Sequence, residues 1–331
     1  ALNYRTPTNK LIRNSAISFS GKHFDGLNAA STAFEIWDRK MKNKFWVQYK
    51  MMYRQDVSDL TYLIHSEEWQ SDKFNNTITF GYEHPYQYMK GRGIGNINMQ
   101  LRSSSIGSDY DYQYFALNVI NKNDLGLINI NTRTFFQIGT GDNWADESML
   151  YAAGANPEAM MENKYTRSAG LMPSSWGGYG ADINHFHAGG GLGLRGYAGY
   201  QLPNLDWYGD VRAIYKGTTG YAFNMEVEFQ ELFRFVGRKL PTLNSIFGIT
   251  TYAFGDIGAI NFNYTDESLA MGLIRMDAGV GCALTIKRFP PLQTCKPLVI
   301  RFDVPLFINR APYNSPENVA FRWVIGINRA F

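Results

Sequence analysis

The chain has 331 residues, enough for one large all-β domain or two ordinary ones, and its formal net charge of +3 gives no electrostatic case for a nucleic-acid partner. Aromatic residues make up 15% of it, 32 glycines face only 12 prolines, and no apolar run approaches the roughly 18–20 residues of a transmembrane helix. The opening ALNYRTPTNK lacks the apolar core of a signal peptide, so a mature form or a fragment is expected. Cys282 and Cys295 do not stand in a zinc-ligand spacing and are expected to be unbonded thiols.

What recurs along the chain is alternation with a period of two, the mark of strands with one apolar face. Thirteen strands are expected, over 7–20, 26–36, 43–54, 58–68, 75–85, 93–105, 110–121, 125–138, 217–232, 244–258, 272–287, 296–309 and 320–331. In NINMQLR, Asn96, Asn98, Gln100 and Arg102 alternate with Ile97, Met99 and Leu101. In LININTRTFFQI, Asn129, Asn131, Arg133 and Gln137 stand against Ile128, Ile130, Phe136 and Ile138. Further on, Ile274, Met276, Val280, Leu284 and Ile286 share one face, as do Leu298, Ile300, Phe302, Val304, Leu306 and Ile308. FRWVIGINRAF sets Phe321, Trp323, Ile325, Ile327 and Phe331 against Arg322, Gly326 and Asn328. The runs are long, about 9–13 residues, and their polar face carries charge deep inside the run, which fits a transmembrane β-barrel better than a soluble sandwich. The fold class expected is therefore all-β, a transmembrane antiparallel β-barrel of about 12–16 strands with a lipid-facing apolar band.

The stretch from 139 to about 210 breaks the alternation and is too long for a hairpin loop. It contains GGGLGLRGYAGY, with Arg195 as its one charged residue. No G-K-[ST] follows, so a phosphate loop is disfavoured, and an exposed glycine-rich turn with a solvated arginine is the bland alternative. His185 and His187 offer two metal ligands without an identifiable third, and are expected to be polar surface. Glu226 and Glu228, beside Asn224 and Gln230, fall on the lumen face of their strand, where charges that line or plug a polar lumen are expected. No catalytic set, nucleophile elbow, metal site or cofactor motif is found, and Phe321, Trp323 and Phe331 read as lipid-facing or interfacial anchors.

GLRGYAGY resembles the R-G-(F/Y) tip of the long sixth extracellular loop in the BamA/TamA superfamily of outer-membrane assembly factors and two-partner secretion transporters. YAFNMEVEF is similar to the strand after that loop, and FGDIG, Phe254 to Gly258, to the F-x-D-x-G of the next one. IRMDAGVG, PLVIRFDVPL with Arg301 and Asp303, and FRWVIGINRAF resemble the last three strands, so the likeness covers about 189–331. It implies that the 139–210 loop is extracellular and folds back into the lumen, with Arg195, Gly196 and Tyr197 at its tip and Arg195 paired with Asp256. It also implies a bacterial outer-membrane location, with the lipid bilayer and client outer-membrane or secreted proteins as partners, accessory outer-membrane subunits in addition, and no enzymatic activity in this chain. A lateral seam at the closing strand, softened by Gly326, belongs to the same implication. The superfamily barrel has sixteen strands, eleven of them before the long loop, and periplasmic domains ahead of it. With eight found here the first visible strand would be the fourth, and an N-terminal periplasmic or enzymatic domain is expected upstream. Three functions follow: assembly or translocation of proteins, anchoring or export of an enzyme domain, and a structural subunit of an outer-membrane complex.

Overall fold

A computed structural model describes residues 2–8, 12–24, 26–55, 69–162, 185–198, 203–205, 211–213, 215–229, 246–260, 274–287, 298–311 and 317–331. Its main feature is one sheet of fourteen strands. The wall begins with β1 (Leu2–Pro7), β2 (Ser15–Phe24), β3 (Leu27–Trp37), β4 (Lys44–Arg54), β5 (Phe74–Tyr88), β6 (Gly93–Ser104), β7 (Asp111–Asp124) and β8 (Ile128–Asn143). The long loop then carries the two-residue strand β9 (Leu150–Tyr151), the helix α1 (Pro157–Glu162) and β10 (Phe186–Ala188). Three short strands follow, β11 (Pro203–Leu205), β12 (Val211–Ala213) and β13 (Lys216–Gly217). The wall resumes with β14 (Gly220–Phe229), β15 (Phe247–Ile260), β16 (Arg275–Ile286), β17 (Leu298–Ile308) and β18 (Val324–Ile327). Every wall strand pairs antiparallel with its neighbour in sequence, and β8 pairs with β14 across the base of the loop.

The alternation read from the sequence becomes two faces. Phe45, Val47, Phe80, Leu101, Phe136, Phe223, Met225, Ile249, Val280 and Phe302 are exposed on the outer face. Thr79, Arg102, Arg133, Asn224, Glu226, Asp256, Arg301 and Asp303 are buried on the inner one. A wall apolar outside and charged inside is stable only when hydrocarbon covers the outside, because in water the same pattern would expose the apolar band. Part of the loop enters the interior. Phe186 shares one cluster with Leu27, Ala29 and Met52 of β3 and β4, and Ile327 of β18 packs against it, so strands from both halves of the sheet meet there.

Rings lie over glycines across several strand pairs. A Cβ at Gly81 would fall 2.0 Å from Trp46, one at Gly95 2.2 Å from Tyr86, one at Gly93 2.5 Å from Tyr88 and one at Gly281 2.6 Å from Tyr252. In each case ring and glycine are direct partners in the ladder.

Three strand expectations need amendment. The 7–20 run is two strands, parted by a turn that Thr8 closes by donating its amide to Ser15 (2.9 Å) and that Asn14 enters with φ 57°. The apolar Ile12 imitates alternation there. The strand expected over 58–68 lies outside the described residues. The closing strand is Val324–Ile327, far shorter than 320–331; it ends at Asn328, which stands at φ 68° after a last amide bond to the Val299 carbonyl. At the loop, β8 runs to Asn143, past the expected end at 138.

Candidate functional site: the latched loop in the lumen

The glycine-rich stretch threads between β9 and the wall. Leu192 and Leu194 donate amides to the carbonyls of Tyr151 (2.9 Å) and Ala152 (3.1 Å), and Arg195–Tyr197 closes a 3-10 turn. Two glycines set how close the strand can come. Gly191 sits at φ +50°, and a Cβ there would meet the Gly154 and Tyr151 carbonyls at 2.2 and 2.3 Å; one on Gly196 would meet the Asp277 Cβ at 2.6 Å. Arg133 of β8 reinforces the thread from the wall, donating to the Gly191 carbonyl at 2.7 Å and to Asn224 at 3.0 Å.

Arg195 is fully buried. Its Nε and Nη2 donate to the two carboxylate oxygens of Asp256 at 2.8 and 2.9 Å, and Nη1 to Glu226 at 2.7 Å. The guanidinium lies 3.9 Å above the Phe254 ring, and Asn224 gives Asp256 another hydrogen bond at 3.0 Å. The planar fork thus uses its donors on two carboxylates and its face on an aromatic ring, an arrangement a lysine would not reproduce. Its partners hold the guanidinium firmly protonated, its pKa raised further despite burial. Glu226 is shared with Arg329 (2.5 Å), which also binds Glu228 at 2.6 Å. Tyr197 donates its hydroxyl to Asn309 at 2.7 Å, and burial pushes that phenol up to about 12. Gly258 leaves room for Leu194, whose Cδ2 would lie 3.3 Å from a Cβ there.

Arg301 and Asp303, both fully buried, form an ion pair on β17, and Tyr252 donates to Asp303 at 2.5 Å. Arg301 also donates to Nδ1 of His187 at 2.7 Å, while the other imidazole nitrogen donates to the Ala153 carbonyl. The reading of His185 and His187 as polar surface is corrected here: His187 is 2% exposed, and His185 stacks on Trp323 at 3.8 Å. His187 lies in β10 and His185 just before it, outside the strand, so the two side chains are placed independently. Trp323 is covered on one face by the stacked His185. Phe321 is exposed, and Phe331, beyond the strand, lines a cavity with Asn118, Arg133 and Gly189 in place of an outward anchor position. Gln230 lies outside the described residues, as does Cys295; Cys282 is a free thiol.

The sequence reading missed a second attachment, on the opposite wall. Helix α1 presents Glu158 and Glu162 one turn apart. Glu158 accepts from Lys50 (2.9 Å), from Arg102 (3.0 Å) and from Ser148 (2.7 Å). Glu162 binds Lys50 at 2.8 Å and also Lys22. The cations come from β2, β4 and β6, the alternate strands of the first half of the wall. They hold both loop carboxylates below their usual range although burial alone would raise them. Beside them Glu147, bonded to Asn75 at 2.6 Å, is pushed up to about 7 by burial. The signal available in the sequence was the lumen parity of Lys22, Lys50 and Arg102. The loop is thus tied to one wall by its cation and to the other by its anions. A cavity of about 500 Å3 remains between loop and first wall, lined by Gln48, Asn98, Gln100 and Asn118 among others.

No family profile matches this sequence, and no curated protein sequence does. Among solved structures the chain is similar to BamA from Haemophilus ducreyi lacking POTRA domains 1–3, at 13% identity and a TM-score of 0.50, over 99% of this chain and 61% of that one. It is also similar to CdiB from Escherichia coli (11% identity, TM-score 0.49, 94% of this chain and 48% of that one). A NanC porin is matched at 9% identity with a TM-score of 0.30, over 98% of this chain and 94% of that one. The chain thus spans between about half and three-fifths of the BamA and CdiB chains. What is shared with the BamA structure is the fold, an outer-membrane β-barrel.

Proposed function

We propose that this chain is the barrel of a bacterial outer-membrane protein that assembles proteins into that membrane or passes them across it. The long loop then enters the lumen from the extracellular side, and lipid covers the outer band. The observation that carries the reading is the fully buried Arg195 between Asp256 and Glu226. A barrel serving only diffusion gains nothing from a loop fastened across its lumen by buried charge. A barrel that must stay sealed until it engages a polypeptide does. The bilayer and client proteins are its partners in this reading; reactions on small molecules are not, and Glu226 and Glu228 serve the loop.

The test is reconstitution into liposomes, with a urea-unfolded outer-membrane barrel supplied as client and its folding followed by heat-modifiable gel mobility. Folding at least tenfold faster than in empty liposomes is expected. Equal rates would remove the assembly reading and bring forward an anchor for an enzyme domain or a structural subunit.

A further inference from the structure

Among the described residues a parallel pairing stands at the closing strand. β10, from the long loop, lies along the free edge of β18 with Phe186 opposite Ile325, His187 opposite Gly326 and Ala188 opposite Ile327. The Ile325 amide donates to the His185 carbonyl at 2.7 Å. On its other side β18 pairs with β17 over four positions only, whereas β6 and β7 pair over eleven. Among the described residues β1 and β18 share no ladder. A strand edge of this kind carries unpaired N–H and C=O groups and accepts another strand unless something covers it. Here the chain covers its own edge.

The cover is short but anchored by side chains. Phe186 is buried among Met52, Trp69 and Met161, and His187 is clamped between Arg301 and the Ala153 carbonyl. His185 stacks on Trp323 and donates to its carbonyl at 2.8 Å. Gly326 has a specific reason to lack a side chain: a Cβ there would lie 2.3 Å from the Arg301 guanidinium and 2.8 Å from the His187 carbonyl. The glycine admits the arginine that grips β10. Three parallel residue pairs alone are a weak ladder, so the hold resides in these side chains and is lost as a unit once the loop withdraws.

We propose that β10 is an internal stopper strand, which keeps the β18 edge from pairing with any other polypeptide until the long loop leaves it. The occupant that replaces it is an extended polypeptide segment, added by strand pairing. The inference rests on the protein-handling reading above for its purpose, but not for its test.

The test uses the whole chain in detergent with Cys282→Ser and Cys295→Ser. Ala188→Cys with Ile327→Cys, a register pair, should oxidise to a disulfide at least tenfold faster than Ala188→Cys with Ile325→Cys, two positions out of register. A photo-crosslinking peptide of sequence INHFHAGG, copied from residues 183–190, is the probe for a vacant edge. Phe186→Asp should raise its capture by the 323–329 segment at least fivefold over the parent, and the oxidised lock should abolish capture. Ala188→Pro, which leaves the wall untouched, is the second release variant should Phe186→Asp fail to fold. No register preference in the disulfides, or equal peptide capture in locked, parent and released forms, overturns the proposal. In the liposome assay, equal client folding by locked and reduced protein overturns the stopper while the assembly reading stands. Absence of client folding in every form, with lock and capture as expected, overturns the assembly reading and leaves the stopper strand in place.

Discussion

Replacing Arg195 with alanine removes one cation from a site with two buried carboxylates as its partners and a third, Asp277, paired with Asp256 in the ladder. Asp277, itself buried, brings no cation to the site and so cannot replace the guanidinium. Breaking a buried pair in this way costs about 3–5 kcal/mol, because the stranded charge stays in low dielectric. The loop can leave while the wall keeps its ladder, so the loss should fall on docking and not on the fold. The amides of Leu192 and Leu194, bonded to Tyr151 and Ala152 within the same loop, report whether the thread keeps its docked form. If their exchange is limited by the docking equilibrium, about 3–5 kcal/mol corresponds to roughly two to three and a half orders of magnitude in rate. The assay is hydrogen exchange in detergent, with amides of β6 and β7 as the internal standard. Protection at Leu192 and Leu194 within threefold of the parent would refute the reasoning. Loss of protection in β6 and β7 as well would make Arg195 a determinant of the barrel and not of the loop.

Glu158→Gln should loosen α1 by about 3 kcal/mol, since it takes the carboxylate from Arg102 and one of two from Lys50; exchange at Met160 should rise while Leu194 stays within about tenfold. A joint rise at both amides would mean the two attachments open together. Glu147 keeps a proton to about pH 7 in the fold but releases it near 4.5 when unfolded, so its contribution is complete below pH 4.5 and is lost as pH rises through 7. The loss is about 3 kcal/mol at about 1.4 kcal/mol per unit, and Glu147→Gln should raise the Tm at pH 8 with little change at pH 4; thermal melts at the two values decide it. Leu101→Arg, on the outward face of β6 at 52% exposure, should cost about 2–4 kcal/mol of insertion into vesicles if the residue meets the bilayer midplane. Unchanged insertion would place that face outside the hydrocarbon.

The wall was legible because lipid outside and polar lumen inside impose the same period on every strand, so Ile97, Met99 and Leu101 announce themselves without reference to anything distant. The Arg195–Asp256 contact came from likeness, not from pattern: the two are 61 positions apart and nothing local links them. The Glu158–Lys50–Arg102 cluster stayed hidden for the same reason, since a six-residue helix in a loop has no periodicity to read. The histidines were misjudged because HFH looks solvated until β10 lies against β18. The break between β1 and β2 was missed since Leu11 and Ile12 carry the apolar pattern of the sequence on past Pro7.

The aromatic rings seated on glycines bear on a problem that the alternating pattern leaves unsolved. Sliding one strand by two positions keeps every apolar side chain outside and every polar one inside, so the pattern is blind to that error. The rings are not. Shifted one way by two, Tyr86 would face Ile97; shifted the other way, Tyr88 would face Gly91, which belongs to the connecting turn Met89–Gly91 and not to a strand. Trp46 on Gly81 and Tyr252 on Gly281 repeat the check on β4–β5 and β15–β16. These contacts act like the teeth of a zip: each strand can add to the growing wall at one offset, and a misaligned one meets a side chain where the ring needs a hollow.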